Sequence, residues 1–121
     1  MGVVHHANYL AFFEMGRVDA LRQIGVEYAS VVARGLHLVV VEATVRYRQP
    51  AYFDDLLLVF THVTDLRGVR LTFAYDVRRE KDDVLVASGQ TVHAFVDAQS
   101  LRPVRLPEWL RADLRRLSRP A

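Results

Sequence analysis

Between Ala7 and Gly25 no proline interrupts the chain, and at 100° per residue Tyr9, Leu10, Phe13, Gly16, Ala20, Leu21 and Ile24 fall on one arc. That spacing predicts a helix, with Asn8 placed to cap its start and Gly25 placed to stop it near Ile24. Phe12 and Met15 lie on the opposite side, so the first half of this helix has little surface left for water. It reads as a central helix with something wrapped around it. A second, short helix is expected from Glu27 to Ala33, ended by Arg34-Gly35. After Gly35 the period changes to two: Val39, Val41, Ala43, Val45 and Tyr47 alternate with Val40, Glu42, Thr44, Arg46 and Arg48 up to Gln49-Pro50. Asp54-Asp55 then precedes a strand from Leu56 to Thr64, and Leu66-Arg67-Gly68 makes a turn. Val69, Leu71, Phe73, Tyr75 and Val77 alternate with polar neighbours up to a turn at Lys81-Asp82-Asp83. The last strand, Val84 to Asp97, carries Gly89 in its middle, where a missing side chain lets the helix come close. Pro107-Glu108-Trp109 followed by Leu110, Leu114 and Leu117 predicts a short C-terminal helix. Short turns between the last three strands make them antiparallel hairpins. The fold class is α+β, a single domain over residues 1–121 in which a sheet packs on a helix.

Composition narrows what such a domain does. Of 121 residues, 51% are hydrophobic and 25% charged, ordinary values for a folded domain and too apolar for a disordered tail. No apolar run approaches the ~18 residues that a membrane span needs. The 16 basic residues exceed the 14 acidic by only two, and they are scattered, which argues against nucleic acid and fits a small phosphorylated ligand better. There is no cysteine, so disulfides, thiolate catalysis and Cys-ligated metal sites are excluded. His37, His62 and His93 lack a paired-ligand spacing, and neither a metal nor a cofactor is expected. Gly-x-Ser-x-Gly and phosphate-loop patterns are also absent, which removes serine hydrolases and nucleotide hydrolases. Met1-Gly2 leads into a histidine pair instead of a signal region, so a cytoplasmic protein is expected.

The opening Met1-Gly2-Val3-Val4-His5-His6-Ala7-Asn8-Tyr9-Leu10, with Phe12-Phe13-Glu14-Met15-Gly16-Arg17 after it, resembles that of hotdog-fold acyl-CoA thioesterases. The branch it resembles is that of 4-hydroxybenzoyl-CoA thioesterase and the Tol-Pal-associated thioesterases. Val41-Glu42-Ala43, Tyr47-Arg48-Gln49-Pro50-Ala51 and Asp54-Asp55-Leu56 look like the family's second and third strands, and Arg102-Pro103-Val104-Arg105-Leu106-Pro107 like its ending. The resemblance implies hydrolysis of an acyl thioester of coenzyme A or acyl carrier protein. Four strands cannot cover the helix and also leave no free edge, so a homodimer that continues the sheet across an edge is expected, with a homotetramer as the larger assembly. Family members begin with a further strand that ends in the usual catalytic Asp, two residues before the position of Met1. That strand and that Asp are missing from the sequence given, so the expectation is a start assigned too late or cut away, with impaired activity as the other reading. A non-catalytic module that binds acyl thioesters or a protein is the alternative.

Thioester hydrolysis needs a carboxylate, as nucleophile or to activate water, and donors aimed at the oxygen that gains charge. The first N–H groups of a helix have no partner and sit at the positive end of its dipole, so a carbonyl placed against His6, Ala7 and Asn8 is polarised. The resemblance assigns the backbone N–H at His6 to this role. The His6 side chain is a candidate for orienting substrate or carboxylate, capping being the other reading, and His5 beside it reads as structural or as lining the substrate. With the upstream Asp missing, Glu14 is the best carboxylate available. Another hotdog branch carries its catalytic carboxylate on this helix nine residues after a histidine, as Glu14 follows His5. The plainer reading pairs Glu14 with Arg17 at i,i+3 and buries the pair. Asp54 and Asp55 read as the solvated start of a strand. Arg67 and Arg70 flank the turn where the family places contacts to coenzyme A phosphates.

Overall fold

The computed structural model describes residues 7–118. Helix α1 runs from Ala7 to Gln23, α2 from Tyr28 to Ala33, and strands β1 (Leu36–Tyr47), β2 (Leu57–Arg67), β3 (Arg70–Arg79) and β4 (Val84–Asp97) follow. Helix α3 (Glu108–Leu114) and a turn of 3₁₀ helix close the described chain. The strands form one antiparallel sheet in the order β1-β4-β3-β2. Helix α1 lies across one face of it, making the expected two-layer α+β architecture. Among the described residues no helix is long and apolar enough to cross a membrane.

Gly25 stops α1 as its position predicts. It sits at φ +83°, the left-handed region that glycine enters without a Cβ penalty. Its N–H bonds the Arg22 carbonyl at 2.9 Å, and the Val26 N–H reaches back to the Leu21 carbonyl at 2.8 Å. This is the Schellman arrangement, and it turns Val26 into the core beside Leu21. Asn8 does not cap the other end, because it lies within the helix, which is already under way at Ala7.

Alternation in the strands does the sorting. Leu71, Phe73, Tyr75 and Val77 of β3 turn inward and are buried, as are Ala87 and Phe95 of β4. Phe13 of α1 is fully buried and stacks on Tyr75, centroids 4.4 Å apart and rings 5° from parallel. Gly89 pairs with Val45 on one side and Tyr75 on the other, directly beneath Phe13. A Cβ at Gly89 would meet the Thr44 carbonyl and lie 2.6 Å from the Phe13 ring. The close approach expected of Gly89 is real.

Three expectations need correction. Leu10 sits at the margin of the helical arc and is 46% exposed, and Met15 is 63% exposed, so α1 is covered along one stripe only. Strand β2 continues past Thr64 to Arg67, because a bulge between Val63 and Asp65 absorbs one residue and lets Arg67 pair with Arg70. The turn therefore tightens to Gly68-Val69. Strand β1 begins at Leu36, earlier than its alternation suggests, and has a bulge between Val40 and Glu42.

Candidate active site

The start of α1 lies at the end of the sheet where β1 finishes. The Tyr9 ring meets Phe12 and Tyr47 edge-on, at 5.6 and 5.5 Å between centroids. Burial, with Tyr47 and Asp55 nearby, pushes the Tyr9 phenol up, so it stays a neutral donor. Ala7 and Asn8 form the first turn here, with Asn8 exposed. His5 and His6 lie outside the described residues.

Asp55 is not solvated, contrary to its reading as an exposed strand start. Its side chain is only 6% exposed, 3.5 Å from Arg79 and 3.7 Å from Lys81. The backbone N–H of Tyr52 donates to it at 2.9 Å. That bond, ahead of the two cations, holds its carboxyl below the usual range. The local turn explains this: the Asp55 N–H bonds the Tyr52 carbonyl at 3.0 Å, which folds the side chain back over the loop. Asp54 is exposed.

Two turns along the helix, Glu14 and Arg17 part company. The expected pair does not form: Glu14 is exposed, and Arg17, half-buried, turns toward the sheet and donates to the Tyr75 hydroxyl at 3.1 Å. Tyr75 lies 2.6 Å from Thr91 Oγ1, which in turn lies 2.7 Å from Nε2 of His93. Arg17 prefers this partner because the phenol oxygen sits inside the sheet face, where an unmet guanidinium would be costly, while water serves Glu14. The His93 ring is 1% exposed and stands edge-on to Phe73. Desolvation, reinforced by the charge of Arg17, lowers its pKa to about 4, so it is neutral at pH 7. Glu14, Arg17 and His93 line one cavity of about 280 Å³, together with Val18, Leu21, Tyr28, Leu38 and Val40.

Arg67 and Arg70 stand elsewhere. Both are exposed, Arg67 bonds Asp65 at 2.8 Å, and the Gly68 carbonyl accepts from Leu106 at 3.0 Å near the C-terminal segment. The helix start belongs to the end of the sheet where Arg79 reaches the Pro50 carbonyl. Strand β3 spans roughly 30 Å between these ends at ~3.3 Å per residue. One copy of the chain therefore does not bring the turn arginines to the helix start.

Residues 1–114 match the family model of the thioesterase-like superfamily. The chain belongs to that superfamily. This thioesterase-like chain is 32% identical over 114 residues to the acyl-CoA thioester hydrolase YbgC of Escherichia coli, covering 94% of the chain and 84% of the relative. It is 33% identical over 116 residues to a 1,4-dihydroxy-2-naphthoyl-CoA hydrolase of Thermosynechococcus vestitus, covering 92% and 79%. A solved structure of a hypothetical protein from Thermus thermophilus superposes with a TM-score of 0.88 at 38% identity, covering 97% of this chain and 88% of that one. Thioester hydrolysis is the chemistry at family level, and the hotdog fold is shared.

Sequence reasoning on this family member missed Asp55 as a held carboxylate and the line from Arg17 through Tyr75 and Thr91 to His93. The second carries a signal: Thr91 and His93 are polar residues on the inward parity of β4, where the flanking Phe95 is core.

Proposed function

We propose that this protein hydrolyses acyl-CoA thioesters, within the branch of the Tol-Pal-associated thioesterases and in the cytoplasm. The observation that carries the reading is the family match over residues 1–114, which includes the helix start. The thioester carbonyl rests against the start of α1, polarised by the backbone N–H groups of Ala7 and Asn8 and, as the resemblance implies, by that of His6, with His5 a further candidate for contacting the substrate. A carboxylate deprotonates water, the oxygen adds to the carbonyl carbon, the C–S bond breaks, and the thiol leaves with the proton.

The carboxylate proposed is Glu14. Along its own helix it stands about 10 Å from Ala7 at ~1.5 Å per residue, too far to serve a carbonyl held there. It borders the cavity beside Leu38 and Val40 of β1, however, and the outer edge of β1 has no strand partner among the described residues. Val39, Val40 and Val41 on that edge are 39%, 53% and 58% exposed. A homodimer that continues the sheet antiparallel across β1 covers them and carries Glu14 to the seam, within reach of a substrate bound to the other copy. The same two-fold arrangement puts one copy's Arg67 and Arg70 at the sheet end of the other's helix start, where they contact the phosphates of the carrier. Two such dimers make the homotetramer.

The test is thiol release from a panel of acyl-CoA and acyl carrier protein thioesters by the purified chain and its Glu14→Gln variant. Hydrolysis that falls at least ~10²-fold in the variant, with the dimer intact by light scattering, is the expected result. Brisk turnover that Glu14→Gln leaves untouched removes Glu14 from the chemistry. Binding without hydrolysis points to the non-catalytic module.

A further inference from the structure

The sequence spreads its arginines along the chain, but the fold gathers several of them at one end of the sheet. Strand β1 begins there, β4 ends there, and β2 turns into β3 there. The segment after β4 crosses that end: the Ala98 N–H donates to the Gly35 carbonyl at 2.9 Å, and the Leu106 N–H to the Gly68 carbonyl at 3.0 Å. Arg102 and Arg105 stand exposed along the crossing, and Arg34 stands exposed beside its start. None of the ion pairs among the described residues engages these three. Arg34 instead lies 4.2 Å above the ring of Trp109, which is itself partly exposed. The carboxylate of Asp97 is tied to its own turn, accepting from the N–H groups of Gln99 and Ser100 at 2.9 and 2.8 Å. The opposite end of the sheet carries the exposed acidic turn Glu80-Lys81-Asp82-Asp83, so an anionic surface attracts one end and repels the other.

Leu101 stands out from this polar surrounding. It is 65% exposed on the crossing segment, at φ +60°, the left-handed region that a bulky residue enters only at a steric cost. The turn around it is closed: the Leu101 N–H donates to the Asp97 carbonyl at 2.8 Å, and the Asp97 N–H to the Arg102 carbonyl at 2.9 Å. Folding alone favours glycine or asparagine in that backbone conformation, and water favours a polar side chain. A leucine fixed at the surface beside arginines without ion pairs is suited to an apolar medium outside the protein.

The three arginines are spread over roughly 10 Å of sheet end at ~4.8 Å per strand, wider than one phosphate bridges. An anionic bilayer supplies both chemistries together, with phosphates across a plane for the guanidiniums and acyl chains just beneath for Leu101. Trp109 suits the headgroup level, where one side of an indole is wet and the other apolar. We propose that this end of the protein docks reversibly onto an anionic membrane surface, with Leu101 entering the acyl-chain boundary and Arg34, Arg102 and Arg105 meeting lipid phosphates. The docking goes beyond the thioesterase reading and stands without it.

The test is co-sedimentation with phosphatidylcholine vesicles, with and without phosphatidylglycerol. The protein should bind only the anionic vesicles, and the binding should fall as salt rises. Each arginine near such a surface is worth about 5-fold in affinity, so Arg102→Glu combined with Arg105→Glu should weaken binding at least ~25-fold. Leu101→Asn should weaken it about 10-fold. The same variant should leave the melting temperature equal or higher, because asparagine tolerates the left-handed backbone, whereas loss of a merely structural leucine would lower it. Trp109 is the only tryptophan, so its fluorescence reads the docking in the unaltered protein even where a variant fails to fold. Lipid spin-labelled at the headgroup should quench it on the anionic vesicles. Absence of quenching, equal binding to both vesicles, or full binding by either variant overturns the proposal. Release by inorganic phosphate beyond that caused by sodium chloride of equal ionic strength also overturns it, by marking a site for soluble phosphate. Capture by polyglutamate with no vesicle binding overturns it in favour of an acidic protein partner.

Discussion

Acid should loosen this protein over a pH range to which His93 contributes. His93 is 1% exposed, and its pKa is lowered to about 4 against 6.5 when unfolded. The native state therefore stays unprotonated at His93 over an interval in which the unfolded state binds a proton. Stability rises with pH wherever the unfolded chain holds more protons, so the contribution is complete above 6.5 and is lost as pH falls from there to about 4. Each pH unit within the interval is worth ~1.4 kcal/mol, which gives about 2 kcal/mol between roughly pH 6 and 4.5. That is a large share of a typical ~5–15 kcal/mol. The carboxylates of Asp55, Asp82 and Asp97 are held below their ordinary 3.8, so their contributions disappear only at lower pH and leave this interval to histidine. The assay is urea unfolding followed by circular dichroism at pH 7, 6, 5.25 and 4.5, at one fixed protein concentration so that assembly does not shift the baseline. His93→Gln should flatten the pH dependence while lowering stability at pH 7. A slope as steep in His93→Gln as in the parent would refute the assignment.

Three further variants test the structure. Arg17→Met should raise the His93 pKa above about 4, read by NMR titration, because the nearby positive charge is one of the causes that depress it. The same variant should cost about 1–2 kcal/mol in urea unfolding for the lost bond to Tyr75, less than if a buried Glu14 were left unpaired. Gly89→Ala should destabilise by about 3 kcal/mol or prevent folding, since the new methyl meets both the Thr44 carbonyl and the Phe13 ring; an unchanged melting temperature would contradict the close approach. Glu14→Gln should leave the melting temperature within about 1 °C while lowering turnover, because the side chain is exposed and makes no ion pair with Arg17.

The chain's own pattern determined the helix, the four strands and their hairpins, because periods of 3.6 and two are local properties set by which faces must leave water. It determined the stop at Gly25, where a left-handed residue is needed, and the place of Gly89, where a strand needs room beneath a helix. The motif at the start of α1 carried the family. Partners were another matter. Spacing allows Glu14 and Arg17 to pair, yet a phenol 58 residues away takes the guanidinium, since the sheet face offers a buried acceptor and water already serves the carboxylate. Asp55 looks solvated in a run of polar residues and is enclosed by a turn and by Arg79 from another strand. His93 is one of five histidines in the sequence, with no partner at a telling spacing, and only pairing in the sheet sets it beside Thr91 and the cavity of Arg17 and Glu14. Local periodicity fixes which side of an element faces the core, but the side chain that waits there comes from a distant part of the chain, and tertiary structure alone decides it.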